Sequence, residues 1–415
     1  MQFPTNLAEA IDWLSSFGAG SDGGVTRTLY SKPWKEAQEV LKGWMETQGF
    51  ETQYDSIGNL FGRLSSVDSG APTILVGSHV DTVHSGGKYD GAYGILAAIL
   101  ALSHLKKKYG QPILNLEVVS LCEEEGSRFP LACSGSGIMT GVYSFDEIKG
   151  VMDSDGIGFE TAMKESGFGL GGEKYKVRND IHAFIELHIE QGPSLEKLGK
   201  SIGIVQTIVG QKRFQITVTG ESNHAGTTLM KWRKDPLHGA VSMIDDLYES
   251  IKEYDENLVT TVGQLFVEPN VSNVIPSQIV FTVDARHPLE MVLSSFCERF
   301  TSRFQEIAKA KGLGIKIEKW HEVSPVQMDA KLNEILLAIC KGSDVSCHVM
   351  NSGAGHDAQL FANVCPTTIM FVPSQGGISH SPLEYTSTAD LETGLHVLIH
   401  LLHQLAYTQQ KGGVL

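Results

Sequence analysis

The chain has 415 residues, of which 41% are hydrophobic and 20% charged, with a mean hydropathy of -0.06. This is the composition of an ordinary globular protein, and the length favours two domains. The net charge is -15, from 33 Lys and Arg against 48 Asp and Glu. The excess of acidic residues argues against nucleic acid or an anionic membrane as a partner, because both attract clustered cations.

The location expected from the sequence is the cytoplasm. No segment approaches the length of a transmembrane span, so we expect no membrane association. The first six residues lack the charged and apolar regions of a signal peptide. Six scattered cysteines without a Cys-x-x-Cys pair are typical of reduced thiols in a cytoplasmic protein.

Helices and strands alternate in the first part of the chain. The patterns predict a helix over 34–47, a hairpin over 50–64, a strand over 73–77, a helix over 94–107 and strands over 114–121 and 184–188, with a weakly patterned, glycine-rich stretch over 150–180. This alternation indicates βαβ units and an α/β fold with a largely parallel sheet and flanking helices.

A different pattern begins near residue 211. Predicted strands near 214–218, 260–267, 278–284 and 314–319 enclose predicted helices over 236–254 and 289–311. The order β-α-β-β-α-β is that of the ferredoxin-like split unit. After residue 325 the α/β pattern returns, with a buried strand over 367–372 and a long helix from about 387. We therefore predict a discontinuous domain of residues 1–210 and 326–415, into which residues 211–325 are inserted as a small α+β domain.

Polar residues cluster where the predicted strands of the larger domain end. His79 and Asp90 follow one strand, an acidic run over 123–125 follows the next, and His188 and His380 come later. Ligands of open α/β sheets bind at the carboxyl ends of the strands. Imidazole and carboxylate without thiolate form the donor set of a hydrolytic zinc or manganese site. Any one of these residues is more often an ordinary hydrogen-bonded residue, but the whole set favours a metal centre.

Several motifs resemble those of one group of enzymes. They are Gly77–His79 with Asp90–Gly91, Glu124–Phe129, Glu186–Pro193, Ser222–Thr228 and Gly353–Ala358. The sequence resembles the carbamoylase and allantoate amidohydrolase branch of the dinuclear aminoacylase/carboxypeptidase-like metallohydrolases over nearly its whole length. Residues 13–19 and 23–31 look most like the allantoate-hydrolysing members. The resemblance implies a metal-dependent exopeptidase-like α/β fold, in which the inserted domain serves as a lid and in dimerisation.

The resemblance also implies two divalent metal ions per subunit. Asp90 would bridge the ions, Glu125 and His380 would complete one site, and His79 and His188 the other. Zinc or manganese is expected, and cobalt or nickel also suits these donors.

Further roles follow from the same resemblance. Glu124, adjacent to a ligand, would be the general base. Asp81 would accept the second N–H of His79 and so orient the ring. A strained, possibly cis, peptide bond is expected between Asp90 and Gly91.

The inserted domain is expected to provide substrate contacts. His224 would donate to the developing oxyanion, and the resemblance implies that it acts across a homodimer interface. Gln211, Asn273 and Arg286 match positions that hold a substrate carboxylate, for which Arg286 offers a bidentate fork. From spacing alone, Arg286 fits a surface salt bridge equally well. Gln191 is a further candidate for the substrate pocket.

The reaction expected from the resemblance is hydrolysis of a ureido (carbamoyl) C–N bond in a small carboxylate. Allantoate is the favoured substrate, giving ureidoglycine, ammonia and CO2 in purine degradation. The nearest alternative is an N-carbamoyl-L-amino acid amidohydrolase or a β-ureidopropionase-like enzyme. A peptidase or aminoacylase is disfavoured by His188, where that broader group often has a carboxylate. A metal-free binding or scaffold protein is disfavoured because all five ligand positions and Glu124 are present.

Overall fold

A computed structural model describes residues 3–170 and 177–408. Residues 171–176, part of the predicted glycine-rich stretch, lie outside the described residues. The α-helices of the described part are α1 (Leu7–Ser15), α2 (Lys32–Thr47), α3 (Ala92–Tyr109), α4 (Ser134–Thr140), α5 (Phe145–Ile148), α6 (Phe159–Glu165), α7 (Ser194–Leu198), α8 (Pro236–Ile251), α9 (Glu290–Ala310), α10 (Ala330–Gly342), α11 (Ala358–Phe361) and α12 (Thr388–Ala406). In the described residues, none of these helices is both long and apolar enough to span a bilayer.

The strands of the described part are β1 (Glu51–Tyr54), β2 (Leu60–Leu64), β3 (Thr73–His79), β4 (Asn115–Leu121), β5 (Ile181–Ile189), β6 (Ile202–Ile208), β7 (Gly210–Thr219), β8 (Asn223–His224), β9 (Val259–Thr261), β10 (Leu265–Glu268), β11 (Val274–Ile275), β12 (Gln278–His287), β13 (Gly314–Val323), β14 (Val326–Gln327), β15 (Cys347–Ser352) and β16 (Thr367–Val372). The chain divides into two compact units, residues 1–206 with 327–415 and residues 207–326.

The first unit is built on a mixed, largely parallel sheet. Its strand order is β1-β2-β4-β3-β5-β16-β6-β14, with β15 paired to β6. The central strands β4, β3, β5 and β16 are parallel to one another. Strands β3, β4 and β16 are buried along their whole length, as expected when helices cover both faces. The predicted fold class is confirmed, and the parallel strands bring their carboxyl ends to one edge of the sheet.

The second unit has an antiparallel sheet in the order β10-β12-β7-β13, with β9 paired to β12. This is the strand order of the ferredoxin-like split unit. Helices α8 and α9 cover one face, where Phe281, Phe296, Phe300 and Phe304 form an aromatic core. Along β12, buried residues alternate with half-buried ones, so the opposite face of the sheet carries its polar side chains.

Candidate metal centre

The loop between β3 and α3 places two of the predicted ligands. His79 is the last residue of β3, and Asp90 precedes Gly91, which caps α3 with φ +63°. A Cβ atom on Gly91 would lie 2.5 Å from Cε1 of His79, so only glycine leaves room for this ring. The Asp90–Gly91 peptide bond is trans, and the cis bond found among described residues is Glu268–Pro269. The expected cis bond is therefore wrong, and the turn is made instead by the positive φ of Gly91.

The Asp90 carboxylate is the centre of a cluster of donors. Its Oδ1 lies 3.4 Å from Nε2 of His79 and 3.1 Å from Nε2 of His188. Its Oδ2 lies 3.3 Å from Nε2 of His380, which is 3.5 Å from Oε2 of Glu125. Burial opposes ionisation, but the three imidazoles hold the pKa of Asp90 well below its ordinary value. All five predicted ligands thus meet at one point, with one histidine on one side of the carboxylate and two on the other.

The orientation of two rings fits a role as metal ligands. Nδ1 of His79 lies 3.0 Å from the carbonyl oxygen of Asp81, and Nδ1 of His188 lies 2.9 Å from that of Ile189. In a neutral ring, these contacts assign the proton to Nδ1, so that Nε2 can act as a metal ligand. Nε2 of His188 also accepts the N–H of Gly91 at 3.1 Å. Buried imidazole and carboxylate donors within 4.8 Å of one another are suited to divalent cations.

The carboxylate of Asp81 has a different role from the one predicted. Its Oδ1 is 3.8 Å from Nδ1 of His79, and the backbone carbonyl of Asp81 makes the closer contact. The two carboxylate oxygens instead accept the backbone N–H groups of Glu124, at 3.2 Å, and Glu125, at 3.1 Å. Buried N–H groups of a loop require acceptors, and Asp81 supplies two of them. Asp81 therefore holds the acidic loop in place, while its own backbone orients the histidine.

Glu124 lies beside this cluster of donors. Its Oε2 is 3.8 Å from Nε2 of His79, and its Oε1 is 3.8 Å from Sγ of Cys133. Burial, reinforced by the charges of Glu125 and Asp357, raises the pKa of Glu124 well above its ordinary value, although His79 opposes the shift. A carboxyl group with a raised pKa can exchange a proton during a reaction near neutral pH.

Gln191 lies against the same cluster. This residue has φ +57°, and its side-chain amide donates to Oδ2 of Asp90 at 2.8 Å and to Oγ of Ser379 at 3.3 Å. Gln191 thus contacts a predicted ligand directly, and its role in substrate binding stays a prediction.

His356 is buried against His188, with ring centroids 4.8 Å apart. Burial, together with the neighbouring His188, lowers the pKa of His356 well below its ordinary value.

Arg27 supports the loop that follows β3 and was not singled out from the sequence. Its side chain is buried and donates to the carbonyl oxygens of Val80, at 2.7 Å, Leu14, at 3.0 Å, and Phe17, at 3.1 Å. Burial lowers the pKa of Arg27 to about 10, against the opposing charge of Asp81. The residue lies within the segment 23–31 that carried part of the resemblance, so that segment joins α1 and the residues after it to the loop that follows His79.

Arg27→Met is therefore expected to destabilise the first unit by about 3–5 kcal/mol, because it removes a buried guanidinium group and its hydrogen bonds to three carbonyl groups. Urea unfolding followed by circular dichroism measures the change. The control is Lys164→Met, which removes an exposed ion pair with Glu160 and should change stability by less than about 0.5 kcal/mol. Equal stabilities of the two variants would show that the Arg27 contacts contribute little.

The predicted substrate residues Gln211 and Arg286 belong to the second unit and are paired across β7 and β12. Both contact Asp284, whose Oδ2 accepts from Nε2 of Gln211 at 2.6 Å and from Nη2 of Arg286 at 3.1 Å. Arg213 also donates to this oxygen, at 2.9 Å. Although burial opposes it, hydrogen bonds from Arg286, Arg213 and Gln211 lower the pKa of Asp284. The sequence analysis missed Asp284, which the Asp-x-Arg spacing places on the same strand face as Arg286.

His224 lies on β8 in the second unit, and Asn273 directly precedes β11, which pairs with β8. His224 is exposed and pairs with Val274, and the N–H of Ala225 donates to the carbonyl oxygen of Asn273 at 3.1 Å. Nδ1 of His224 accepts the N–H of Gly226 at 3.0 Å. In the neutral ring, the proton is therefore assigned to Nε2, which makes that atom a hydrogen-bond donor.

The fold and the donor cluster around Asp90 define a metal-dependent hydrolase. Residues 75–404 match the family described as Peptidase family M20/M25/M40. The chain belongs to this family, and within it is an amidohydrolase.

Relatives with near-complete overlap support this placement. The allantoate amidohydrolase of Bacillus subtilis (strain 168) is 49% identical over 97% of this chain and 98% of its own length. The N-carbamoyl-L-amino-acid amidohydrolase of Pseudomonas sp. (strain NS671) is 36% identical over 94% of this chain and 95% of its own length. A crystal structure of an amidase of the hydantoinase/carbamoylase family from Burkholderia multivorans has a TM-score of 0.92 and 33% identity, and covers 95% of this chain and 96% of that one.

Proposed function

We propose that this protein hydrolyses a ureido C–N bond of allantoate, releasing ammonia and CO2 and leaving ureidoglycine. The observation that carries the proposal is the convergence of three imidazoles and the Glu125 carboxylate on Asp90, with Glu124 beside them. The relative named for allantoate hydrolysis is more similar to this chain, at 49% identity, than the carbamoylase at 36%.

The metal centre would hold two divalent ions. Asp90 would contact both ions, His79 and His188 would complete one site, and Glu125 and His380 the other. Zinc and manganese are the first choices, and cobalt or nickel also suits imidazole and carboxylate donors. Bound there, the ions supply Lewis acidity to the reacting carbonyl group and increase the acidity of the attacking water.

Glu124 is positioned to move protons in this reaction. Its carboxylate would take a proton from the attacking water and deliver it to the leaving nitrogen. His79 lies between Glu124 and Asp90, within 3.8 Å of the first and 3.4 Å of the second. Glu124 therefore lies close to the predicted ligand His79. Its neighbour Glu125 is the carboxylate that contacts His380.

The second unit would bind the substrate carboxylate through Gln211 and Arg286, and Asn273, which lies beside His224, is a further proposed contact. Two guanidinium groups, those of Arg213 and Arg286, share the single carboxylate of Asp284. The guanidinium group of Arg286 offers a bidentate fork that suits an anionic ligand. Nε2 of His224, as the assigned hydrogen-bond donor, would stabilise the developing oxyanion.

We propose that the active form is a homodimer in which His224 completes the site of the partner. Apolar side chains exposed on β9 and β10 of the second unit support this arrangement: Val259 is 55% exposed, Leu265 48% and Phe266 60%. Exposed apolar edge strands are favourable pairing surfaces.

We also propose a cytoplasmic location, which the six free thiols support.

Allantoate is expected to be preferred over N-carbamoyl-L-amino acids by at least roughly tenfold in kcat/KM, which corresponds to about 1.4 kcal/mol. Allantoate carries a second ureido group that needs polar partners, and an amino-acid side chain leaves such partners unpaired. A competitive assay with the metal-loaded protein would measure both rates in one solution. Equal or reversed preference would assign the enzyme to the carbamoylases instead.

A further inference from the structure

Glu384 joins the two loops that carry Asp90 and His380. Its side chain is buried, and Oε1 accepts the backbone N–H groups of Tyr89, at 3.0 Å, and Asp90, at 3.2 Å. Its Oε2 accepts the hydroxyl of Ser379 at 2.7 Å. All three of these hydrogen bonds therefore come from a predicted ligand, Asp90, or from a residue next to one, Tyr89 or Ser379.

Ser379 extends the connection to the donor atoms themselves. Its Oγ is 3.3 Å from Oδ2 of Asp90, the oxygen that faces His380. Asp90 and His380 are separated by 289 intervening residues, so nothing in the local chain sets their spacing. Glu384 supplies this restraint by holding the backbone of Asp90 and, through Ser379, the loop that carries His380.

The loop before Asp90 leaves space for this carboxylate. A Cβ atom on Gly87 would lie 2.0 Å from Oε1 of Glu384 and 2.5 Å from Cβ of the same residue. Any side chain at position 87 would therefore displace Glu384. A buried carboxylate is costly unless it is hydrogen-bonded, and here both oxygens have protein donors.

We propose that Glu384 is a positioning residue of the metal centre, which fixes the separation of Asp90 and His380 and thereby sets the affinity for the ion between them. The inference rests on the proposed metal centre and adds a residue to it. Groups that orient metal ligands commonly contribute factors of 10–100 to metal affinity. The influence of Glu384 on metal affinity depends on the positions of its acceptor oxygens and not on its negative charge, because the hydrogen bonds to those oxygens hold the two loops.

Titration of the metal-free protein with Co²⁺ tests the proposal, with binding measured by calorimetry and the ligand field by visible absorption. Glu384→Ala should weaken one of two Co²⁺ binding steps by about 10–100-fold and alter the spectrum of that site. Glu384→Gln should remain within about threefold of wild type, because its amide oxygen can accept both N–H groups and its NH2 can donate to Ser379.

Two further variants keep the test independent of a folding defect. Gly87→Ala should weaken the same binding step as Glu384→Ala, because its Cβ displaces the carboxylate. Glu196→Ala is the matched control: Glu196 accepts the N–H of Gly376 at 2.8 Å in the segment before His380, and no contact joins its described side chain to Asp90. Its Co²⁺ affinity should equal that of wild type.

Wild-type affinity in both Glu384→Ala and Gly87→Ala would overturn the proposal. An equal loss in Glu384→Gln and Glu384→Ala would also overturn it, because charge rather than geometry would then control binding. The proposed function fails separately: wild-type protein that binds two Co²⁺ ions but does not hydrolyse allantoate would contradict the substrate and leave the role of Glu384 intact.

Discussion

Glu124→Gln is expected to lower kcat by on the order of a hundredfold or more, while KM and metal content stay close to those of wild type. The substitution keeps the size of the side chain and its hydrogen-bonding capacity, but the amide cannot accept a proton from water. Cys133, 3.8 Å from Oε1 of Glu124, can contact the amide as it does the carboxylate, so little rearrangement is expected.

The measurement combines steady-state kinetics with elemental analysis of the same preparation. Glu125→Gln is the matched control, because it changes the adjacent carboxylate, which contacts His380 at 3.5 Å. This control should lose metal, whereas Glu124→Gln should retain it. Loss of metal in Glu124→Gln would make Glu124 a ligand, and near-normal turnover would remove it from the proton transfer.

Two of the candidate metal ligands, His79 and His188, could be located from the sequence because each lies at or near the end of a buried strand. The ligand roles of all five residues came from the family resemblance and stay predictions. His79 ends β3 and His188 lies near the end of β5, and both strands are parallel and buried. A pattern of apolar residues that stops at a histidine therefore indicates both the strand and the edge at which its side chain emerges. The long apolar helix α12 and the alternating strands β7 and β12 were predictable for the same reason.

Contacts formed only by tertiary structure could not be predicted. The carboxylate of Asp81 binds two N–H groups of a loop more than 40 residues away, and the sequence gives no sign of that pairing. Glu384 was overlooked because its acceptor role depends on a loop about 300 residues earlier in the chain. Asp284 differs from these, because its Asp-x-Arg spacing on an alternating strand indicates from sequence alone that it lies on the same face as Arg286.

Several elements also differ from the sequence prediction in detail. The single strand predicted near 260–267 is two short strands, β9 and β10, and Gly263 lies between them. Glycine interrupts strands because it adds no side chain to the packing and costs more backbone entropy. Helix α1, with its Asn6 cap accepting the N–H of Glu9, was not predicted, although Asn6 is an ordinary helix-start signal.

His224→Ala is expected to lower kcat by roughly a hundred- to a thousandfold, because it removes the donor to the developing oxyanion. The same residue allows a sharper test of the proposed homodimer. In a mixture of inactive His224→Ala and inactive Glu124→Gln subunits, each mixed dimer would contain one site with both defects and one site with neither.

After equal mixing and full subunit exchange, half of the dimers are mixed and each has one intact site, so about a quarter of wild-type activity should return. Subunit exchange is checked independently by mass spectrometry with one partner isotopically labelled, and Glu124→Gln mixed with Glu125→Gln is the control that should not recover. Both of those defects lie in the first unit of one chain, so every site in that mixture keeps one of them. No recovery in the His224→Ala mixture, despite demonstrated exchange, would place His224 in the active site of its own chain, because each mixed dimer would then contain two sites with one defect each.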